Sequence, residues 1–158
     1  MLEDNELCKK CAICCVGTEM ILTRSDIKRL EEAGYRGFYR LSGGFYRLRN
    51  VRGRCVFLGD DNLCRIYSIR PKGCRVYPLI YDQERGVVLD PLCPLHQDIS
   101  CSELLRGVGE LREVLEELEQ DYGFVVDWGL FKASVASLLS RCLELSGAVR
   151  STQHDQAG

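Results

Sequence analysis

Residues 8–15 read CKKCAICC, four cysteines in eight residues with the last two adjacent, and Cys55, Cys64, Cys74 and Cys93 follow at wider spacing. Thiolates are ligands of structural zinc, which takes four of them in a tetrahedron, and a CxxC turn lets two sulfurs converge on one ion. CxxC occurs twice in overlap here, Cys8 with Cys11 and Cys11 with Cys14. CKKCAIC also has the x2, x2 spacing of a bacterial ferredoxin run, although the CP dipeptide, Cys93-Pro94, is remote from it. Tetrahedral thiolate sites suit both chemistries. The eight cysteines Cys8, Cys11, Cys14, Cys15, Cys55, Cys64, Cys74 and Cys93 are therefore the candidate ligands of Zn2+ or an iron–sulfur cluster, in one or two sites. The competing reading is a set of buried thiols or disulfides.

Side chains of neighbouring residues in an extended segment point to opposite sides. On that basis Cys14 and Cys15 face different ways, and the doubled cysteine predicts two sites, or one ligand beside one packed thiol. The downstream gaps of eight, nine and eighteen residues can be closed by hairpins but lack the second close CxxC pair of a zinc ribbon. His96, in CPLH, is a further candidate ligand whose plainer reading is a polar side chain in contact with solvent. Cys101, at the entrance of a predicted helix, and Cys142, on the apolar face of another, fall outside the cluster; Cys142 reads as a small core residue.

The elements that must position these thiols are short. LTRSDIKRLEEAG offers Thr23 or Ser25 as N-cap and Gly34 as terminator of a short helix. Residues 38–58 repeat FYRL on either side of SGG, which predicts a hairpin. Pro71 and Pro78 bracket Cys74 and argue for irregular structure there. YPLIY and GVVLDP, separated by DQERG, predict a second hairpin. Leu104, Val108, Leu111, Leu115 and Leu118 recur at helical spacing, so residues 103–121 form an amphipathic helix. DWGLFKASVASLLSRCLELSG, with Leu130, Val135, Leu138, Leu139, Cys142 and Leu143, gives a second, closed by Gly147.

The expected architecture is one small α+β domain of 158 residues. A metal-stapled, irregular and hairpin-rich region (8–100) carries an antiparallel helical hairpin (101–147), followed by a disordered tail (148–158). The acidic, polar start MLEDNELCKK and the lack of an eighteen-residue apolar run point to a cytoplasmic protein with no membrane partner. A reducing compartment disfavours a disulfide framework for ten cysteines and favours metal ligation.

Net charge is -2, unevenly spread. From Arg36 to Arg75 ten basic residues face only Asp60 and Asp61, a balance of +8, whereas from Val76 onward six basic residues face fourteen acidic ones, a balance of -8. Arg65, Arg70, Lys72 and Arg75 sit among the cysteines, where cationic donors offset the negative charge of a thiolate-bound metal. Arg70 could also pair with Asp60 or Asp90 and so hold the RPKGCR loop. The other reading of the basic 36–75 segment is an RNA partner, held by Tyr35, Phe38, Tyr39, Phe45 and Tyr46 interleaved with arginines. Those aromatics are also hairpin-core candidates.

CKKCAICC, then TRSDIKRL, then CVFLGDDNLCRIYSIRPKGCRVYP and a later cysteine resemble the YkgJ-type cysteine-cluster family, described as a zinc- or iron-chelating domain. CxxCxxCC and CxIYxxRPxxCRxYP occur in the family's order over residues 8–93. The resemblance implies that all eight cysteines form the family's set. A related cysteine-rich domain occurs in flagellin lysine N-methylase, which would imply methyl transfer, but no separate methyltransferase domain and no GxGxxG is present. No Ser/His/Asp or HExxH arrangement offers other chemistry. Three function classes follow: a metal-binding module whose metal organises the fold or is handled, an iron–sulfur or methyltransferase-like enzyme, and a nucleic-acid adaptor.

Overall fold

The computed structural model describes residues 6–152, except the side chains of Lys9 and of residues 145–152. It is a mixed α+β structure of three two-stranded antiparallel ladders, three short helices and two long C-terminal helices.

Helix α1 (Glu6–Cys11) ends at Ala12, whose φ of 59° is left-handed, and a 3-10 turn (Ile13–Cys15) follows. Helix α2 (Arg24–Glu32) starts at Thr23, whose hydroxyl accepts the Asp26 N–H at 3.2 Å and so satisfies one of the N-terminal donors.

Strands β1 (Tyr39–Ser42) and β2 (Phe45–Leu48) pair with Ser42 opposite Phe45. The two turn residues, Gly43 and Gly44, have φ of 60° and 82°, as the tight hairpin turn that matches strand twist requires. The segment expected to be one hairpin holds two ladders. β3 (Asn50–Val51) and β4 (Arg54–Cys55) follow at once, because Arg52 and Gly53, at φ of 51° and 76°, reverse the chain again.

Around Cys74 the expectation of irregular structure is replaced by helix α3 (Lys72–Val76). Pro71 fits immediately before it, since that position needs no donor, and the Tyr77–Pro78 peptide beyond it is cis. The second hairpin pairs β5 (Leu79–Asp82) with β6 (Gly86–Leu89) as anticipated. Gly86, at φ 76°, is held close to the last helix: a Cβ there would lie 2.4 Å from the Ser134 Oγ and 2.9 Å from the Leu130 carbonyl.

Helix α4 (Cys101–Tyr122) opens with a capping box between Ser100 and Glu103 and closes at left-handed Gly123. Helix α5 (Trp128–Thr152) runs through Gly147 instead of stopping there. Glycine ends a helix only where the chain turns left-handed, and otherwise it merely weakens one. The expected tail at 148–158 thus begins inside α5, and residues 153–158 lie outside the described residues.

Two apolar cores result. One gathers Leu22, Leu30, Phe38, Leu48, Phe57, Leu58 and Ile66 around Cys55. The other gathers Leu79 and Val87 of the second hairpin with Leu104, Leu111 and Leu115 of α4 and Phe131 of α5. Helix α3 joins them, with Cys74 against the first and Val76 within the second. Among the described residues no helix is long and apolar enough to cross a membrane.

Candidate metal centre

The cysteines reach their places by separate local routes. Cys8 and Cys11 are three apart on α1 and so lie on one helix face. The Cys15 N–H donates to the Ala12 carbonyl at 2.9 Å, which closes the 3-10 turn. The chain then bridges from Val16 to Arg54, beside Cys55. A turn from the Cys55 carbonyl to the Leu58 N–H, with a Leu58–Cys64 bridge, folds Cys64 back over Cys55. α3 supplies Cys74, and a turn closed by the Cys93 N–H on the Asp90 carbonyl supplies Cys93.

Cys15, Cys64 and Cys74 pack against the core that holds buried Cys55. Cys93 is buried in a smaller cluster with Leu95, against which Cys8, Tyr77 and Ile99 pack. Cys11 and Cys14 are exposed.

Cys14 and Cys15 correct the expectation of opposed side chains. Their segment is helical rather than extended, and their sulfurs are 4.0 Å apart. The Cys15 thiol hydrogen bond holds Cys14 down to about 7, with Arg70 lowering it further. That same bond and then burial push Cys15 up. Burial is the main cause that raises Cys8, Cys55, Cys64, Cys74 and Cys93, and neighbouring thiols add to it.

Arg70 opposes that rise at Cys8, Cys64 and Cys74. Its guanidinium lies 3.8 Å over the Tyr67 ring, in place of the expected partners Asp60 and Asp90. Its Nε is buried without a hydrogen-bond partner. A cationic donor in that state is costly unless negative charge is nearby. Among the described residues no three Cys, His, Asp or Glu side chains already form a coordination shell. The donor set nevertheless fits a thiophilic metal: eight cysteines outside any disulfide, with the Arg70 guanidinium, its Nε buried, beside both groups of them.

Residues 7–94 match the family described as "CxxCxxCC: Putative zinc- or iron-chelating domain". The chain belongs to the CxxCxxCC family. It is also 32% identical over 90 residues to the uncharacterised protein MJ0661 of Methanocaldococcus jannaschii, an overlap of 50% of this chain and 47% of that protein. The chain thus spans about half the length of that relative. No solved structure matches.

Helices α4 and α5 lie outside the CxxCxxCC match, yet α4 braces it. Glu117 receives Lys72 Nζ and the Ser25 hydroxyl, Glu110 lies 4.0 Å from Arg75, and Asp121 accepts the Arg24 N–H at 2.6 Å. Part of the opposed charge of the two chain regions is therefore paired within the molecule. Arg40 and Arg47 likewise meet Glu19, and Arg54 meets Asn62.

The aromatics considered for RNA stacking contact one another. Phe38 and Tyr35 meet Phe57, Tyr39 meets Tyr46, and Phe45 meets Tyr122 and Phe124. They join the first hairpin to the end of α4.

His96 Nδ1 is 2.7 Å from the Cys93 carbonyl, so the ring is anchored beside a candidate ligand through its backbone. Cys101 and Cys142 form a disulfide that ties the start of α4 to α5. Reading Cys142 as a core residue found half of this, since it does pack on the second core. The signal for the other half was two residues left over from the cluster, one on each predicted helix.

Proposed function

We propose that this CxxCxxCC protein binds zinc or iron–sulfur through Cys8, Cys11, Cys14, Cys15, Cys55, Cys64, Cys74 and Cys93, with the metal organising the first core. The proposed setting is the cytoplasm. The observation that carries the reading is the sorting of thiols. Cys101 and Cys142, outside the family's segment, are disulfide-bonded, while the eight cysteines within it form no disulfide, and four of them, Cys8, Cys14, Cys64 and Cys74, feel the charge of Arg70, whose Nε is buried without a hydrogen-bond partner. Four thiolates close a tetrahedral zinc site, so the chemistry such a metal supplies is structural or exchange chemistry rather than activation of a bound substrate.

Within that reading the protein has clear tasks. Asp26 and Arg29 fix the segment that carries Cys74, Arg70 offsets thiolate charge, and the Leu58–Cys64 bridge holds two ligands at one end of the first core. Anaerobic purification followed by elemental analysis and a visible spectrum tests the proposal. Bound zinc without colour, or iron with sulfide absorption, supports it. Protein that retains neither metal, and takes up neither after reduction and reloading, overturns it.

A further inference from the structure

The eight cysteines outside the disulfide are not equivalent in their surroundings. Cys15, Cys55, Cys64 and Cys74 share one apolar core with Leu22, Phe57 and Ile66, and none of the four is exposed. Cys8 and Cys93 share a separate, smaller cluster with Leu95. Cys11 stands on the same face of α1 as Cys8, and Cys11 and Cys14 are the two exposed residues among these eight cysteines.

We propose that the thiols form two unequal four-cysteine sites: an inner one of Cys15, Cys55, Cys64 and Cys74 that retains its metal, and an outer one of Cys8, Cys11, Cys14 and Cys93 that exchanges it. This rests on the metal-binding reading above. The two sets meet at Cys14 and Cys15, whose sulfurs are 4.0 Å apart although Cys14 is exposed and Cys15 packs on the core.

Exchange follows from access. A ligand-exchange step needs an incoming donor to reach the metal while a protein sulfur departs with a proton from solvent; no electron changes hands. At the outer site Cys11, at the end of a six-residue helix, and Cys14, in the 3-10 turn that follows, are exposed residues. At the inner site the ligands come from three elements and their connecting turn, packed against one core. An apolar shell restricts solvent access to a metal and slows its release. The ligand class is a thiophilic divalent ion, and the acceptor is any competing thiol or chelator small enough to reach Cys11 and Cys14.

The test uses the full chain, reduced at the cluster and reloaded anaerobically with Zn2+, then mixed with excess 4-(2-pyridylazo)resorcinol while zinc release is followed by absorbance. Two zinc ions per chain are expected, one leaving at least about tenfold faster than the other, the scale on which a metal's surroundings alter its retention. Cys11→Ser and Cys14→Ser, both at exposed positions, remove the fast ion and leave the slow one. Cys64→Ser removes the slow ion. Uptake of a single ion, release of both in one phase, or loss of the slow ion from Cys11→Ser and Cys14→Ser overturns the division while leaving metal binding intact. Failure to take up any zinc overturns the division, and failure to take up iron and sulfide as well overturns the metal-binding reading with it. Because the exposed-position variants carry the decisive comparison, misfolding of Cys64→Ser does not rescue the proposal.

Discussion

The Asp26 carboxylate accepts the backbone N–H of Lys72, at 3.1 Å and 3.2 Å from its two oxygens. Asp26 is fully buried and also receives Arg29 Nη2 at 2.7 Å, while Arg29 reaches the carbonyls of Ile69 and Arg70. One acidic side chain near the start of α2 therefore caps α3 and fixes the approach to Cys74.

Asp26→Ala removes that cap and leaves Arg29 without its buried partner, which costs about 3 kcal/mol. Chemical denaturation measures the loss. If Cys74 is a ligand, metal content falls as well, whereas Asp26→Asn keeps one acceptor and loses less.

Arg70 is the only side chain stacked on Tyr67 whose charge reaches Cys8, Cys14, Cys64 and Cys74 among the described residues. Arg70→Gln is expected to weaken metal retention about tenfold in chelator competition. Arg70→Lys recovers only part of it, because an ammonium lacks the planar stacking face. Unchanged retention in both variants would remove Arg70 from the site.

The Cys101–Cys142 bond closes a loop over a sequence separation of 41 residues. Replacing Cys142 by Ser should lower stability by about 3 kcal/mol in the absence of reductant. With a strong reductant present, wild type and variant should melt together. A difference that persists under reduction would mean that Cys142 acts through packing alone.

Glu117 gives a pH test. Burial works to raise its pKa, but hydrogen bonds from Lys72, Ser25 and Thr23 outweigh it and hold the carboxyl below its usual value of 4.5. Its folded pKa is depressed, so its contribution is present above the unfolded value and is lost as pH falls through the folded one. Glu117 and Lys72 are partly exposed, at 27% and 30% of their side chains, so after solvent screening the pair contributes about 0.5 kcal/mol. Thermal melts of Glu117→Gln should lie below wild type at neutral pH and converge with it as pH falls through the lowered folded value.

Metal removal should act unevenly on the two cores. Hydrogen exchange after chelation is expected to rise at α1 and β1–β4, which pack beside the thiols, while α4 stays protected by its own apolar face and by β5. Equal deprotection of α4 would show that the metal supports the whole molecule.

Several elements were legible in sequence because their signals are local. Thr23 caps α2, Gly-Gly sets the first hairpin turn, and the leucine spacing of α4 marks its buried face. The helix around Cys74 was not, because five residues carry no period and their cap, Asp26, is 46 residues away. The ladder at 50–55 was missed for a related reason: Arg52 occupies a left-handed position that composition does not announce. The neighbours of Arg70 were misread, since Asp60 and Asp90 were named from charge alone and the stacking on Tyr67 depends on the folded path of the chain.

By itself the sequence determined the chemistry: eight thiols in one segment, their order and spacing, and an acidic amphipathic helix beyond them. Only the tertiary structure decided which thiols share surroundings. Cys14 and Cys15 are neighbours in sequence with sulfurs 4.0 Å apart, yet Cys14 is exposed and Cys15 packs on the core around Cys55. Spacing gives the reach of a chain, whereas burial comes from what the remote segments cover, and that is fixed only when the hairpins, α3 and the two cores come together.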